Sequence, residues 1–148
     1  MKIKIKKLYP DAKLPYRATA GSLGVDLYAY IGDESDRSLV VSPGRTAIVH
    51  TGLSVEMPTG YGGFIFARSS IATKHHLTLI NSVGIIDNDY RGEIMVHMVN
   101  LGDTKYTIND GDRFAQFTVL ALPEFDIEEA AELSETARGT QGFGSTGV

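Results

Sequence analysis

The stretch R-T-A-I-V-H-T-G-L-S-V-E-M, residues 45–57, places Ala47, Val49, Leu53, Val55 and Met57 at a spacing of two, and Pro58 and Gly60 end the run. A period of two is the signature of a strand with one face turned inward. The same alternation recurs at Ile3 and Ile5 and at Ala115, Phe117 and Val119. Segments 64–66 and 94–99 carry apolar residues on both faces, which predicts strands enclosed inside a barrel or jelly roll. Turn signals are frequent: Pro43-Gly44, Pro58-Thr59-Gly60, Leu101-Gly102-Asp103 and Asn109-Asp110-Gly111. Many short strands divided by such turns predict an all-β sandwich or barrel. Helix is scarce. Residues 69–74 suit one short helix capped by a serine, with His75 and His76 favourable at its C-terminal end. Residues 128–135 have helical composition but no long apolar stripe, which leaves them open.

The 148 residues make one domain, 1–148, long enough to bury a core without disulfide or structural metal. Cysteine is absent, which excludes thiol catalysis and Cys-ligated zinc. No apolar run approaches the length of a membrane span, and M-K-I-K-I-K-K at the start alternates where a signal peptide would be apolar. A soluble, cytoplasmic protein with no membrane partner is expected. The net charge of −4 argues against direct nucleic-acid binding, which rests on clustered cations. Lys2, Lys4, Lys6 and Lys7 interleave with the N-terminal isoleucines and read as a solvated strand face. His50, His75, His76 and His97 lack the spacing of a metal site.

The last eleven residues, R-G-T-Q-G-F-G-S-T-G-V (138–148), differ from everything before them. They hold too little apolar surface to order themselves. Their glycines let backbone N–H groups wrap an anion, while Arg138 supplies charge and Ser145 and Thr146 supply hydroxyls. A P-loop is excluded, because the lysine is missing and no helix can follow. Phe143 has no use for phosphate, so the segment suits a ligand that carries both an aromatic base and phosphates.

Five segments then carry a resemblance. A-G-S-L-G-V-D-L-Y-A (20–29), A-R-S-S-I-A (67–72), N-S-V-G-I-I-D-N-D-Y-R-G (81–92), G-D-R-F-A-Q-F (111–117) and R-G-T-Q-G-F-G-S-T-G (138–147) stand in this order along nearly the whole chain. Together they resemble the trimeric dUTPase family, the deoxyuridine triphosphate nucleotidohydrolases. The resemblance implies a β-barrel or jelly-roll subunit and a homotrimer with sites at the subunit interfaces. It also implies a glycine-rich tail, 138–148, that closes over a neighbour's site. The implied reaction is Mg²⁺-dependent hydrolysis of dUTP to dUMP and pyrophosphate by water attack at the α-phosphate.

Residue by residue, Asp87 matches the carboxylate that activates the water, and Tyr90 the ring that packs under the sugar and leaves no room for a 2′-hydroxyl. Asp89 reads as a turn or ion-pairing residue. Asn81 matches the side chain facing the base edge, with the backbone of 83–86, Gly84 and Ile86 included, completing the uracil pattern. A buried site paired to uracil leaves polar groups unpaired against cytosine, which can discriminate up to about 10⁴-fold. Arg68, Gln116 and Arg138 match the phosphate contacts, Ser69 a hydroxyl near the α–β bridge, and Ser70 a position whose backbone approaches phosphate. Asp26 matches an aspartate that holds waters of the magnesium ion. Arg113 is expected to order its strand or pair with an aspartate. Phe143 matches the ring that stacks on uracil, and Gly144, Ser145 and Thr146 complete the tail's hold on the phosphates.

The second segment departs from the family's usual P-R-S-G. Ala67 replaces the proline, which should loosen the entry to the turn, and Ser70 brings a Cβ where glycine is usual. Two other readings remain open. A dCTP deaminase, or a bifunctional deaminase and dUTPase, shares the fold and often has R-S-S. Its chemistry needs a glutamate near position 97, where this chain has His97, and it lacks the D-x-D-Y run. A dUTP-responsive regulator with a protein partner is the other, and it is compatible with retained catalysis.

Overall fold

The computed structural model describes residues 1–32 and 36–140. Eleven strands and one helix follow in chain order: β1 (Lys4–Lys7), β2 (Val25–Tyr28), β3 (Ser38–Val41), β4 (Thr46–His50), β5 (Leu53–Glu56), β6 (Tyr61–Ala67), α1 (Ser69–His75), β7 (Leu77–Leu79), β8 (Gly84–Ile86), β9 (Met95–Asn100), β10 (Tyr106–Asn109) and β11 (Arg113–Ala121). All pairings are antiparallel, in the orders β2-β11-β6-β8, β4-β9-β7, β1-β5 and β3-β10. The sheets wrap one core containing Leu27, Val49, Ile65, Met98, Phe114 and Phe117. This is the expected all-β jelly-roll architecture with one short helix. Among the described residues no helix is long and apolar enough to cross a membrane.

The run at 45–57 is two strands. Gly52 has φ +67°, a conformation that favours glycine, and a Cβ there would stand 2.8 Å from the Cβ of Ala12. The chain bends at this corner, so β4 pairs with β9 while β5 crosses to β1. The inward face continues through the bend: Val49, Leu53, Val55 and Met57 are all buried. Thr51, also buried, donates its hydroxyl to the Ile94 carbonyl at 2.7 Å.

The helix has Arg68 at its N-cap, in extended conformation and with no side-chain cap bond; the expected serine cap is absent. Ser69 is already helical, and its carbonyl accepts from Thr73 Oγ1 at 2.6 Å. His75 stands in the last turn, and His76 closes the helix in the left-handed region. Residues 128–135 form no helix and are exposed, consistent with the missing apolar stripe.

The strands expected to be enclosed on both faces are central in their sheets but covered on one face only. Ile65, Val96 and Met98 are buried, while Phe66 is 39% and Met95 46% exposed. Among the described residues no second layer covers the outer side of either sheet at these positions. Phe125, Ile127 and Leu133, in the irregular segment after β11, are likewise exposed.

Candidate active site

The candidate residues fall into two groups, and the structure does not bring the groups together within one chain. The first gathers on β2, β11 and the start of α1. Asp26 is buried on β2, where its neighbour across the ladder is Gln116. Its Oδ1 accepts from Arg68 Nε at 3.2 Å and from Gln116 Nε2 at 3.2 Å. Its Oδ2 accepts from Arg113 NH1 at 3.1 Å. A buried carboxylate requires such partners. Asp26, Arg68 and Gln116 therefore meet at one point, and Arg113 is the arginine that pairs with the aspartate.

Arg68 also donates from NH1 to the Arg113 carbonyl at 2.7 Å. With Ala67 paired to Ala115, this holds the entry to α1 that the absent proline was expected to loosen. Ser70 has no positive φ, so its backbone accepts a Cβ without strain. Ser69 and Ser70 are exposed, and Ser70 lines a hollow of about 370 Å³ with Arg68, Lys74, His75, Tyr106 and Arg113. The Tyr106 ring packs against His75 at 4.7 Å between centroids. Burial first, and the Asp112 carboxylate second, push the Tyr106 hydroxyl above its ordinary value of 10.0, with Arg68 opposing. A more apolar hollow of about 470 Å³, lined by Ile3, Ile5, Leu14, Val25 and Phe117 among others, holds none of the candidate residues.

The second group lies on and after β8. This strand ends its sheet, and among the described residues no strand pairs with its outer edge. An open edge presents backbone N–H and C=O groups to a ligand. Gly84 and Ile86 lie on β8, paired with Ile65 and Gly63, and Asn81 is exposed just before it. The turn that follows closes with the Tyr90 N–H on the Asp87 carbonyl at 3.2 Å. Asp87 is exposed, and its carboxylate has no bonded partner among the described residues. Asp89 stands in the turn and makes no ion pair among them either.

Tyr90 is fixed more tightly than its exposure suggests. Its hydroxyl donates to the Glu93 carbonyl at 3.1 Å, and its ring folds over Gly92, where a Cβ would stand 2.5 Å from Cζ. Glu93 and its partner His50 carried no signal in the sequence, because 43 positions separate them and neither sits in a motif.

The separation of the groups follows from the β6–β8 register. Gly63 faces Ile86 and Ile65 faces Gly84, so Asp87 comes level with Gly62 while Arg68 lies beyond the other end of β6. Residues 62 to 68 span roughly 20 Å of extended chain at ~3.3 Å per residue. Arg138 is exposed, and Phe143, Gly144, Ser145 and Thr146 lie outside the described residues.

A family model described as dUTPase matches residues 10–147. A Desulfitobacterium hafniense protein named Deoxyuridine 5'-triphosphate nucleotidohydrolase is 46% identical over 151 residues, covering 100% of this chain and 97% of that protein. One of the same name from Brucella melitensis is 48% identical over 135 residues, covering 91% and 85% respectively. Among solved structures, the dUTPase of Staphylococcus bacteriophage 80alpha with dUPNHPP superposes with a TM-score of 0.88 at 25% identity, over 99% of both chains. The match spans the segments that build both groups, and on it the chain belongs to the dUTPase family.

Proposed function

We propose that the chain hydrolyses dUTP to dUMP and pyrophosphate, at sites shared between copies of itself in a homotrimer. The observation that carries the reading is the Asp87 carboxylate, exposed and unpartnered among the described residues, on a turn beside a fixed tyrosine ring. A general base must be free to take a proton from water within hydrogen-bond reach. Asp87 fills that role: it accepts the proton as the water oxygen attacks the α-phosphorus, and pyrophosphate leaves. Uracil lies along the open edge of β8, read by its backbone and Asn81, with Tyr90 against the sugar.

The phosphates fall to Arg68, Ser69, Ser70 and Gln116, with Arg138 and the tail segment 143–146 closing the site. Arg68 is held by Asp26 and so presents its charge from a fixed position. Because Asp87 and Arg68 lie roughly 20 Å apart by the strand rise, one chain cannot offer both to a single triphosphate. A second copy supplies the missing half, and copies in the assembly cover outward-facing apolar residues such as Phe66 on one sheet and Met95 on the other.

Magnesium fits as an ion carried by the substrate. Among the described residues no cluster of three or more acidic or histidine side chains is placed to cage a metal. Asp26 has three donors on its carboxylate, which leaves room on Oδ2 for one water of a hydrated ion. When bound, the ion draws charge from the phosphate oxygens. Limiting uracil in DNA and supplying dUMP for dTMP synthesis are the roles this activity would serve.

The test is incubation with dUTP, dCTP, dTTP and UTP plus Mg²⁺, quantifying pyrophosphate and ammonia. Pyrophosphate from dUTP alone is expected; ammonia from dCTP would replace this reading with the deaminase.

A further inference from the structure

We propose that Glu93 is a positioning residue that sets the preference for a 2′-deoxyribose, by fixing the turn on which Tyr90 stands. The inference rests on the placement of Tyr90 against the sugar. The Glu93 side chain is 15% exposed and joins two elements. Its Oε1 accepts from the Gly52 N–H at 2.8 Å and its Oε2 pairs with His50 Nδ1 at 2.9 Å. Its own carbonyl accepts the Tyr90 hydroxyl at 3.1 Å. One residue thus connects the β4–β5 corner to the tyrosine ring.

The corner is a firm anchor. Gly52 is locked at φ +67° against Ala12, Tyr9 and Tyr30. Around Glu93 the same seam is closed by Ile94 N–H to the Leu53 carbonyl at 2.8 Å, and by Ser54 Oγ to the Arg91 carbonyl at 2.7 Å. Among the described residues the backbone of the turn from Asp87 to Tyr90 has only local bonds: the Tyr90 N–H on the Asp87 carbonyl at 3.2 Å, and Arg91 NH1 on the Asn88 carbonyl at 2.7 Å and on the Tyr90 carbonyl at 3.0 Å. Its placement therefore depends on the seam that follows it. Rejection of a 2′-hydroxyl is steric, and a shift of about 1 Å in a positioned group is enough to change rates ~10²-fold.

The experiment compares kcat/KM for dUTP and UTP in wild type, Glu93→Gln and Glu93→Ala. Glu93→Ala should lower the dUTP-to-UTP ratio about tenfold or more, mainly by raising UTP turnover relative to dUTP. Glu93→Gln keeps an oxygen for the Gly52 N–H and should hold the ratio within about twofold of wild type. In a Tyr90→Phe background the effect of Glu93→Ala should shrink, because the tether is already cut. Equal losses for both nucleotides, a glutamine variant no better than alanine, or an undiminished effect beside Tyr90→Phe would each overturn the proposal.

Should Glu93→Ala fail to fold, His50→Ala removes one carboxylate contact at a half-exposed position and should move the ratio the same way, about two- to threefold; an unmoved ratio there overturns the proposal. Calorimetric binding of dUMP against UMP reads the sugar preference of the same variants without turnover. An active wild type whose preference ignores these changes defeats this inference alone. A wild type that makes no pyrophosphate from dUTP defeats the hydrolase reading, and the dUMP-to-UMP ratio then decides the role of Glu93.

Discussion

Arg113 donates to Asp26 Oδ2 at 3.1 Å across 87 positions of sequence, and this contact closes β11 onto β2 beside Arg68 and Gln116. The Asp26 side chain is 5% exposed, Arg68 22% and Arg113 41%, so the aspartate is the buried member of the cluster. Removing it leaves Arg68 without its counter-charge in a mostly enclosed place. Asp26→Ala should destabilise the chain by about 2–3 kcal/mol, below the 3–5 of a fully buried pair because the guanidinium groups reach water. Arg113→Ala should cost about 1 kcal/mol, since Arg68 and Gln116 still satisfy the carboxylate. Urea denaturation measures both, and equal losses would show that the cluster is not centred on Asp26.

For Asp87 the expectation is the reverse: large for rate and small for stability. Its carboxylate is bonded to nothing among the described residues, so Asp87→Asn should leave the melting temperature within about 1 °C, as for a surface substitution. The kcat for dUTP should fall by about 10²-fold or more, with binding of a non-hydrolysable analogue retained. Normal turnover in Asp87→Asn combined with loss in Asp89→Asn would move the base to Asp89.

Separation of the two groups makes a prediction about mixing. Asp87→Asn and Arg68→Ala should each be inactive alone, and mass measurement should give trimers of the 16.0 kDa chain. If the variants are unfolded and refolded together in equal amounts, about a quarter of the shared sites combine an intact Asp87 with an intact Arg68 from a neighbour. Activity should return to roughly that fraction of wild type. A mixture as inactive as its parts, or a fully active monomer, would place both groups on one chain.

How much of this was legible in the sequence depended on the range of the contact. Alternation at 45–57 and 115–119 gave the inward faces, because side-chain direction in a strand is set locally. The bend at Gly52 was not legible, since it is imposed by Ala12 and Tyr30 approaching from elsewhere in the chain. Neither was the serine cap ruled out, because the choice of Arg68 as N-cap follows from its ties to Asp26 and Arg113. The candidate site residues were picked out as motifs. Their division into two groups was not, because it follows from the β6–β8 register and not from spacing along the chain. Exposure of Phe66 and of Met95, on the outer sides of two sheets, was not legible either: two-sided apolar strands announce that something covers them, and do not say whether it is the same chain.

Gly92 offers a test of the ring's support. Tyr90 is 39% exposed, so it can swing away from an added methyl group with the fold intact. Gly92→Ala should therefore cost no more than about 1 kcal/mol of stability, a small share of what overpacking does in a core. If Tyr90 stands against the sugar as proposed, the dUTP-to-UTP ratio of kcat/KM should drop, because a displaced ring would no longer bar a 2′-hydroxyl. An unchanged ratio would mean that the ring over Gly92 does not face the sugar.

The tail separates a closing segment from an idle terminus. After β11 the described chain to residue 140 forms no strand or helix and is exposed throughout, so it adds little to this subunit's core. Deleting 138–148 should leave the barrel folded and trimeric by melting and mass. Activity should nonetheless fall steeply, since Arg138, the glycines, Ser145, Thr146 and Phe143 leave together. Phe143→Ala should be milder, about 1–3 kcal/mol in kcat/KM, the scale of an aromatic ring stacked on a base. Added nucleotide should protect the chain from trypsin at Arg138 in the wild type. A truncated trimer with full activity, or cleavage at Arg138 indifferent to nucleotide, would show that the segment closes over nothing.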